Sequence, residues 1–294
     1  MTTTGSAAVQ RLRLRTELRK ARLNAGLTQK QVADEMEWSP SKLIRIEAGE
    51  VGITVNDLRP LLAAYSIAEH EMDVLLDLAR GSRRMPFAEY RDIYAKDFLD
   101  FLAMEGAAWI NRTIQPAVMP GLLQTEEYAR ATIRAYSPGE ATKQVERMVE
   151  ARMLRQDVLD NADAQFFFIL DESVVRRQIG GVGVMRTQLR RLAELAAKPH
   201  ITVMILPFSL GAHAASAGPV TLFEFTEDVP IFVYLENPRG ASTISTAAED
   251  AAKYLDLFWD LEGKVIKDHV PQILLQIADG MTNKPTDLQL APET

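Results

Sequence analysis

Thr28-Gln29-Lys30-Gln31-Val32-Ala33, a short gap, then Ser39-Pro40-Ser41-Lys42-Leu43-Ile44-Arg45-Ile46-Glu47-Ala48-Gly49 is the stretch on which the fold turns. Thr28-x-x-Gln31 has the capping-box form, in which each side chain satisfies a free backbone N–H at a helix start. Val32, Ala33 and Met36 supply that helix's buried face. Ser39-Pro40 opens the next helix, since serine suits the N-cap and proline the first turn, where its missing N–H costs nothing. Leu43 and Ile46 then share one face, Ser41 and Arg45 point the opposite way, and Lys42 lies at the flank. A helix packed through its leucine side with an arginine outward has the chemistry of a major-groove reader. Arg reaches guanine O6 and N7 in bidentate fashion, and Ser goes to either base type or to phosphate. A helix start is also favourable beside phosphate.

Working outward, Leu14, Leu18, Ala21 and Ala25 recur at helical spacing and end at Asn24-Ala25-Gly26. Gly49 and Gly52 bracket the exit of the third helix. Thr54-x-x-Asp57 starts a fourth, with Leu58, Leu61, Leu62 and Tyr65 inward, and Ser66-x-x-Glu69 a fifth, with Met72, Leu75, Leu76 and Ala79 inward. Five short capped helices predict one compact all-α domain over 11–80, after a disordered 1–10. Arg80-Gly81-Ser82-Arg83-Arg84-Met85-Pro86 breaks the period, which makes 81–86 a linker.

The 294 residues suggest about two domains, and 47% apolar with 25% charged residues is an ordinary globular composition. The net charge of −7 argues against a nucleic-acid partner until its distribution is followed. Arg11 to Arg45 holds 9 basic and 4 acidic residues, a balance of +5, against −12 for the rest. Phosphate attraction acts through a local basic face, so the segment outweighs the total. No cysteine occurs, which removes disulfides and thiolate metal sites. The start lacks a signal peptide's apolar core and no run approaches a membrane span, so a cytoplasmic, nucleoid-associated protein is expected.

The stretch Leu23 to Ala33 followed by Ser39 to Gly49 resembles the Xre-type helix-turn-helix family, which includes the phage repressors and Cro. The resemblance implies a phosphate contact for Gln29 and base contacts from the start and outer face of the third helix: Ser39, Pro40, Ser41, Lys42 and Arg45. It also implies that Arg22 pairs structurally with the Glu47 of Glu-x-Gly. Arg11, Arg13, Arg15 and Arg19 read as a solvated or phosphate-facing rim.

Beyond the linker, helical patterns at about 88–107, 126–136 and 140–160 precede a first clear strand, Phe166 to Leu170. Helices at about 172–179 and 183–197 follow, then strands at 201–206, 220–225 and 231–235, a long helix through Ala251 to Leu261, and a shorter one near 269–280. The runs 166–170 and 201–206 are almost wholly apolar, as in strands covered on both faces. An α/β domain over 87–282 is expected, its sheet of about four or more strands covered by helices, with a disordered tail 283–294. The chain as a whole is then α+β.

This region resembles the large C-terminal domain of actinobacterial Xre-type, antitoxin-like regulators. The marks are Met119 to Arg130, Arg155-Gln156, Leu170-Asp171-Glu172-Ser173, Gly211-Ala212-His213 with Gly218-Pro219, and Tyr234-Leu235-Glu236. The resemblance implies a small partner protein encoded nearby, but carries over no catalytic or ligand role. Thr125 reads as a helix N-cap, and Asp171 and Glu172 as the acidic start of a helix or as cavity-facing acids. Trp109 and Trp259 read as core. The loop with His213 distantly resembles phospholipase D-like folds, but the required lysine two residues on is Ala215. No nucleotide-binding or nucleophile-elbow sequence appears, so neither catalysis, cofactor nor metal is expected.

Three readings follow. One is a DNA-binding regulator, homodimeric on double-stranded DNA, controlled by a small protein. Another is a one-component sensor of an unknown small-molecule effector. The third is an interaction scaffold without DNA binding. An enclosed pocket would mark the sensor, and an exposed apolar patch or sheet edge the partner-controlled form.

Overall fold

The computed structural model describes residues 7–48, 51–81, 87–225, 229–237 and 242–282. Residues 1–6, Gly49, most of the expected linker (82–86) and the expected tail 283–294 lie outside the described residues. The fold is α+β. Two compact units divide the chain: Met1–Trp109 with Glu224–Phe232 and Thr246–Ala248, and Ile110–Phe223 with Val233–Ser245 and Glu249–Thr294.

The first unit holds α1 (Ala7–Asn24), α2 (Gln29–Glu35), α3 (Pro40–Glu47), α4 (Val55–Ala64), α5 (Glu69–Gly81) and α6 (Lys96–Glu105). Both halves of the Thr28–Gln31 capping box form, and the N–H of Asp57 donates to Thr54 Oγ1 at 3.1 Å. Ser39 occupies the N-cap of α3 without a side-chain cap bond; its hydroxyl lies 3.2 Å from that of Ser41. Ser66 does not open α5. It takes a left-handed φ of 59° and closes α4, with the N–H of Ile67 donating to Leu62 O at 3.1 Å. The helix starts from Ala68, whose carbonyl receives Glu71 and Met72. The same closure ends α1 at Gly26 and α2 at Glu37, so α1, α2 and α4 all stop in a Schellman turn.

Leu14 and Leu18 of α1 join Val32, Leu43, Ile46, Leu58, Leu61, Leu62 and Leu76 in one core. Ala25, expected inward, is exposed past the end of α1. The helix begins inside the stretch expected to be disordered, because it buries a second face. In Arg11-Leu12-Arg13-Leu14-Arg15, Leu12 and Leu14 sit about 200° apart on a helix, yet both are buried, Leu12 to 1% exposure. Leu12 lies outside the core that holds Leu14, and α6 packs against α1. Arg11 and Arg15 turn to Asp100 of α6; burial lowers both guanidinium pKa values and the Asp100 charge raises them. Arg15 Nη1–H also donates to Ala48 O at 3.4 Å, and the unit runs past the linker to Trp109.

The second unit is built on a sheet with strands β1 (Ile110–Gln115), β2 (Gln165–Asp171), β3 (Ile201–Leu206), β4 (Val220–Glu224), β5 (Phe232–Leu235) and β6 (Thr243–Ser245), in the order β3-β2-β1-β4-β5-β6. β1, β2 and β3 are parallel, and β5 and β6 antiparallel. The crossovers are α7 (Glu126–Tyr136) with α8 (Thr142–Leu154), and α9 (Glu172–Arg176) with α10 (Val182–Ala196); α11 (Ala248–Glu262) and α12 (Val270–Gly280) close the chain. Phe166, Phe168 and Leu170 pack into a core with Met185 and Leu189 of α10 and Leu274 of α12.

Three expectations are corrected. The helix expected over 88–107 is a 3-10 turn at Ala88–Tyr90, then α6. β1 and β6 were not anticipated. Trp109 and Trp259 are not core; each is about half exposed, at 51% and 52%.

Because α1 is buried on two faces, Leu12→Ala should cost about 2–5 kcal/mol, as a core leucine does, in urea unfolding of the whole chain. A cost near zero would mean that α1 packs on one side only.

Candidate nucleic-acid interface

Eight residues do not hold a helix by themselves in water, so α3 depends on its anchors. Leu43 is wholly buried and Ile46 nearly so. The third anchor is Glu47, at the end of the helix. Its carboxylate receives Arg22 Nε–H at 2.6 Å, Arg22 Nη2–H at 3.0 Å and Gln29 Nε2–H at 2.9 Å. Arg22 Nη1–H also donates to Leu27 O at 2.8 Å. The Arg22 and Glu47 side chains are 9% and 4% exposed, so this is a buried pair. One carboxylate thus ties α1 and the first residue of α2 to α3. The hydrogen bond to Glu47 raises the Arg22 pKa, against the effect of burial. Burial, and then the Glu47 charge, push the Tyr65 phenol well above its usual range. Its hydroxyl is buried without a hydrogen-bond partner.

With Leu43 and Ile46 inside, Ser39, Pro40, Ser41 and Arg45 are exposed. The other two sequence-derived contacts are engaged within the domain. Lys42 Nζ donates to Asp57 Oδ2 at 3.2 Å and lies 3.9 Å over the Trp38 ring. Gln29 is half-buried with its amide nitrogen on Glu47. Ile44 was missed: it is 47% exposed, and a 100° step per residue places it with Ser41 and Ala48 on the outer face. Arg19, Lys20 and Lys30 are exposed, whereas α5 exposes Glu69, Glu71, Asp73 and Asp77. The domain's charge is therefore divided between its early helices and its last.

Residues 13–75 match the model of a helix-turn-helix domain. Residues 98–264 match the model of a domain of unknown function, DUF5753. The chain belongs to the DUF5753 family. No curated protein and no solved structure matches it. The helix-turn-helix match covers α1 to α5 and makes this DUF5753 chain a DNA-binding regulator. No helix among the described residues is long and apolar enough to cross a membrane.

Within the DUF5753 match, the marked residues hold backbone. Gln124 Nε2–H donates to Met119 O (2.7 Å), and Gln156 Nε2–H to Gly121 O (2.9 Å) and Gln124 O (2.8 Å). Gln188 accepts from the N–H of Thr125 and donates to Leu123 O, each at 2.7 Å. Thr125 stands at the N-cap of α7, but its hydroxyl makes no cap bond. A Cβ on Gly121 would meet the Arg155 guanidinium, the movable end of a long side chain. Asp171 caps α9 by accepting from Ser173 N–H at 2.8 Å, and its other oxygen accepts His213 Nε2–H at 3.1 Å. Glu172 accepts the N–H of Phe208 at 2.7 Å. Both acids are thus tied to α9 and to the loop after β3. Among the described residues no group of three or more His, Asp or Glu side chains is placed to hold a metal ion.

Removing one partner of a buried ion pair strands the other charge. Arg22→Ala should therefore cost about 3–5 kcal/mol, and the double change R22M/E47L less, by urea unfolding. Tyr65→Phe removes an unpartnered buried hydroxyl and should leave stability unchanged or raise it. A Tyr65→Phe loss above that of Arg22→Ala would contradict the hub as described.

Proposed function

We propose that the chain is a sequence-specific transcriptional regulator, cytoplasmic and nucleoid-associated, of the Xre type. α3 is its reading helix. A homodimer sets two copies of α3 in major-groove half-sites about one helical turn, roughly 34–36 Å, or a multiple of it apart. The observation that carries the reading is the division of α3: Leu43 and Ile46 face the core while Ser41 and Arg45 face solvent. Arg45 takes guanine, Ser41 a base edge or phosphate, and Ser39 and Pro40 the approach of the helix start to the backbone. Gln29 acts at the phosphate, and its bond to Glu47 fixes its place relative to α3. Lys42, held by Asp57 and Trp38, braces the turn before α3 and adds charge beside the groove.

The second unit takes a small protein partner in an antitoxin-like manner and carries out no catalysis. What supports a protein over a metabolite is exposed apolar surface: Phe208 at 57%, Tyr136 at 60% and Trp259 at 52%. The groove between α7 and α8, about 690 Å³, is open and lined largely by charged side chains such as Glu126, Glu146 and Glu150. It is not the enclosed chamber that a small effector requires.

Sequencing DNA fragments that co-purify with the chain tests the first part. On such a fragment Arg45→Ala should lose about 1–3 kcal/mol of discrimination at one base pair. Gln29→Ala should weaken binding to all sequences alike. If both variants shift the fragment as the parent does, the assignment is wrong.

A further inference from the structure

An isoleucine on the outer face of a reading helix stands where a base edge would meet it. Ile44 is 47% exposed, and the packing role on α3 is filled by Leu43 and Ile46. It lines an open groove of about 670 Å³ with Arg19, Leu23, Thr28, Gln29 and Ala48. The groove is bounded by the end of α1, the turn into α2, and the flank of α3. Arg45 follows directly in sequence, and Ser41 lies one turn earlier on the same outer side.

The major groove of DNA shows one apolar group, the C5-methyl of thymine, and side-chain methyls are what contact it. Isoleucine is β-branched and stiff at χ1, so its methyl groups hold a fixed position against such a target. From Ile44 to Arg45 the helix rises 1.5 Å, less than the 3.4 Å between stacked base pairs. Successive side chains also diverge by 100°, so the two residues fall within a few base-pair steps of each other.

We propose that Ile44 is a specificity-determining residue that reads a thymine methyl, so that each half-site carries a thymine within a few base pairs of the one that Arg45 reads. This deepens the DNA-binding reading and rests on it. Leu23, 59% exposed in the same groove, raises the other use of such a surface, apolar contact with a second protein chain. The place of Ile44 beside Ser41 on the outer face of α3 favours DNA, and the test separates the two.

The full-length chain is used to select duplexes from a double-stranded library with a random centre. In the recovered consensus each thymine is then replaced, one at a time, by deoxyuridine, which removes only the methyl. The expected result is one thymine per half-site, within a few base pairs of the guanine, where deoxyuridine weakens binding about four-fold, the worth of one buried methyl. In Ile44→Ala the same replacement has no effect, while its unfolding transition stays that of the parent. The proposal is overturned if no thymine methyl matters, or if the penalty persists in Ile44→Ala. It is also overturned if Ile44→Ala keeps the parent's response to DNA and instead changes the sedimenting mass without DNA, which would make the groove a protein interface. A selection that enriches nothing defeats the DNA-binding reading itself, whereas enrichment without a methyl effect defeats this proposal alone.

Discussion

A buried carboxylate at the end of an eight-residue helix is the constraint from which the reading head takes its geometry. Left unpaired, the Glu47 charge would be strongly destabilising in the interior. It is matched by two guanidinium N–H groups and one amide N–H, drawn from α1 and α2. That requirement fixes where α3 ends relative to both helices, and Leu43 and Ile46 fix its rotation. Hydrophobic contact alone would tolerate some sliding of α3. A bidentate pair does not, because its donors are directional. The position of the exposed residues follows from a polar interaction that is itself largely buried.

The same economy explains α1. Its basic residues divide: Arg22 serves the hub, Arg11 and Arg15 face Asp100, and Arg19 and Lys20 stay exposed. Sequence charge of +5 over this segment therefore overstates what a phosphate would meet. The helix is also shared between two kinds of packing. One face completes the helix-turn-helix core, and the other accepts α6, within which the DUF5753 match begins at residue 98. The DNA-reading helices and the start of that match belong to one compact unit.

What could be read in advance follows from how locally each feature is encoded. The capping box of α2, the cap of α4 and the split between Leu43/Ile46 and Ser41/Arg45 are short-range, and the structure has them. Ser66 misled because a residue that fits an N-cap also fits the left-handed position closing the preceding helix, and only the hydrogen bonds decide. β1 was invisible for a clearer reason. Its core-facing positions hold Asn111, Thr113 and Gln115, all buried, while Arg112 lies over the rings of Phe167 and Phe258. The hydrophobic alternation that marks a strand is absent where a polar residue is buried and a cation sits on aromatic faces. Ile44 was passed over although the same helical step that turns Ser41 outward places it on the outer face.

The DUF5753 region shows a different use of polar side chains. Gln124, Gln156 and Gln188 together satisfy backbone groups at Met119, Gly121, Leu123, Gln124 and Thr125. A loop with so many of its carbonyls and amides taken up by side chains is rigid and has little hydrogen-bonding capacity left for a ligand. Asp171 and Glu172, at the strand end where a parallel sheet would present a ligand site, are likewise spent on Ser173, His213 and Phe208. Among the sequence marks, Gln124, Gln156, Asp171 and Glu172 therefore hold the scaffold. The same unit leaves Phe208 and Trp259 exposed at its surface.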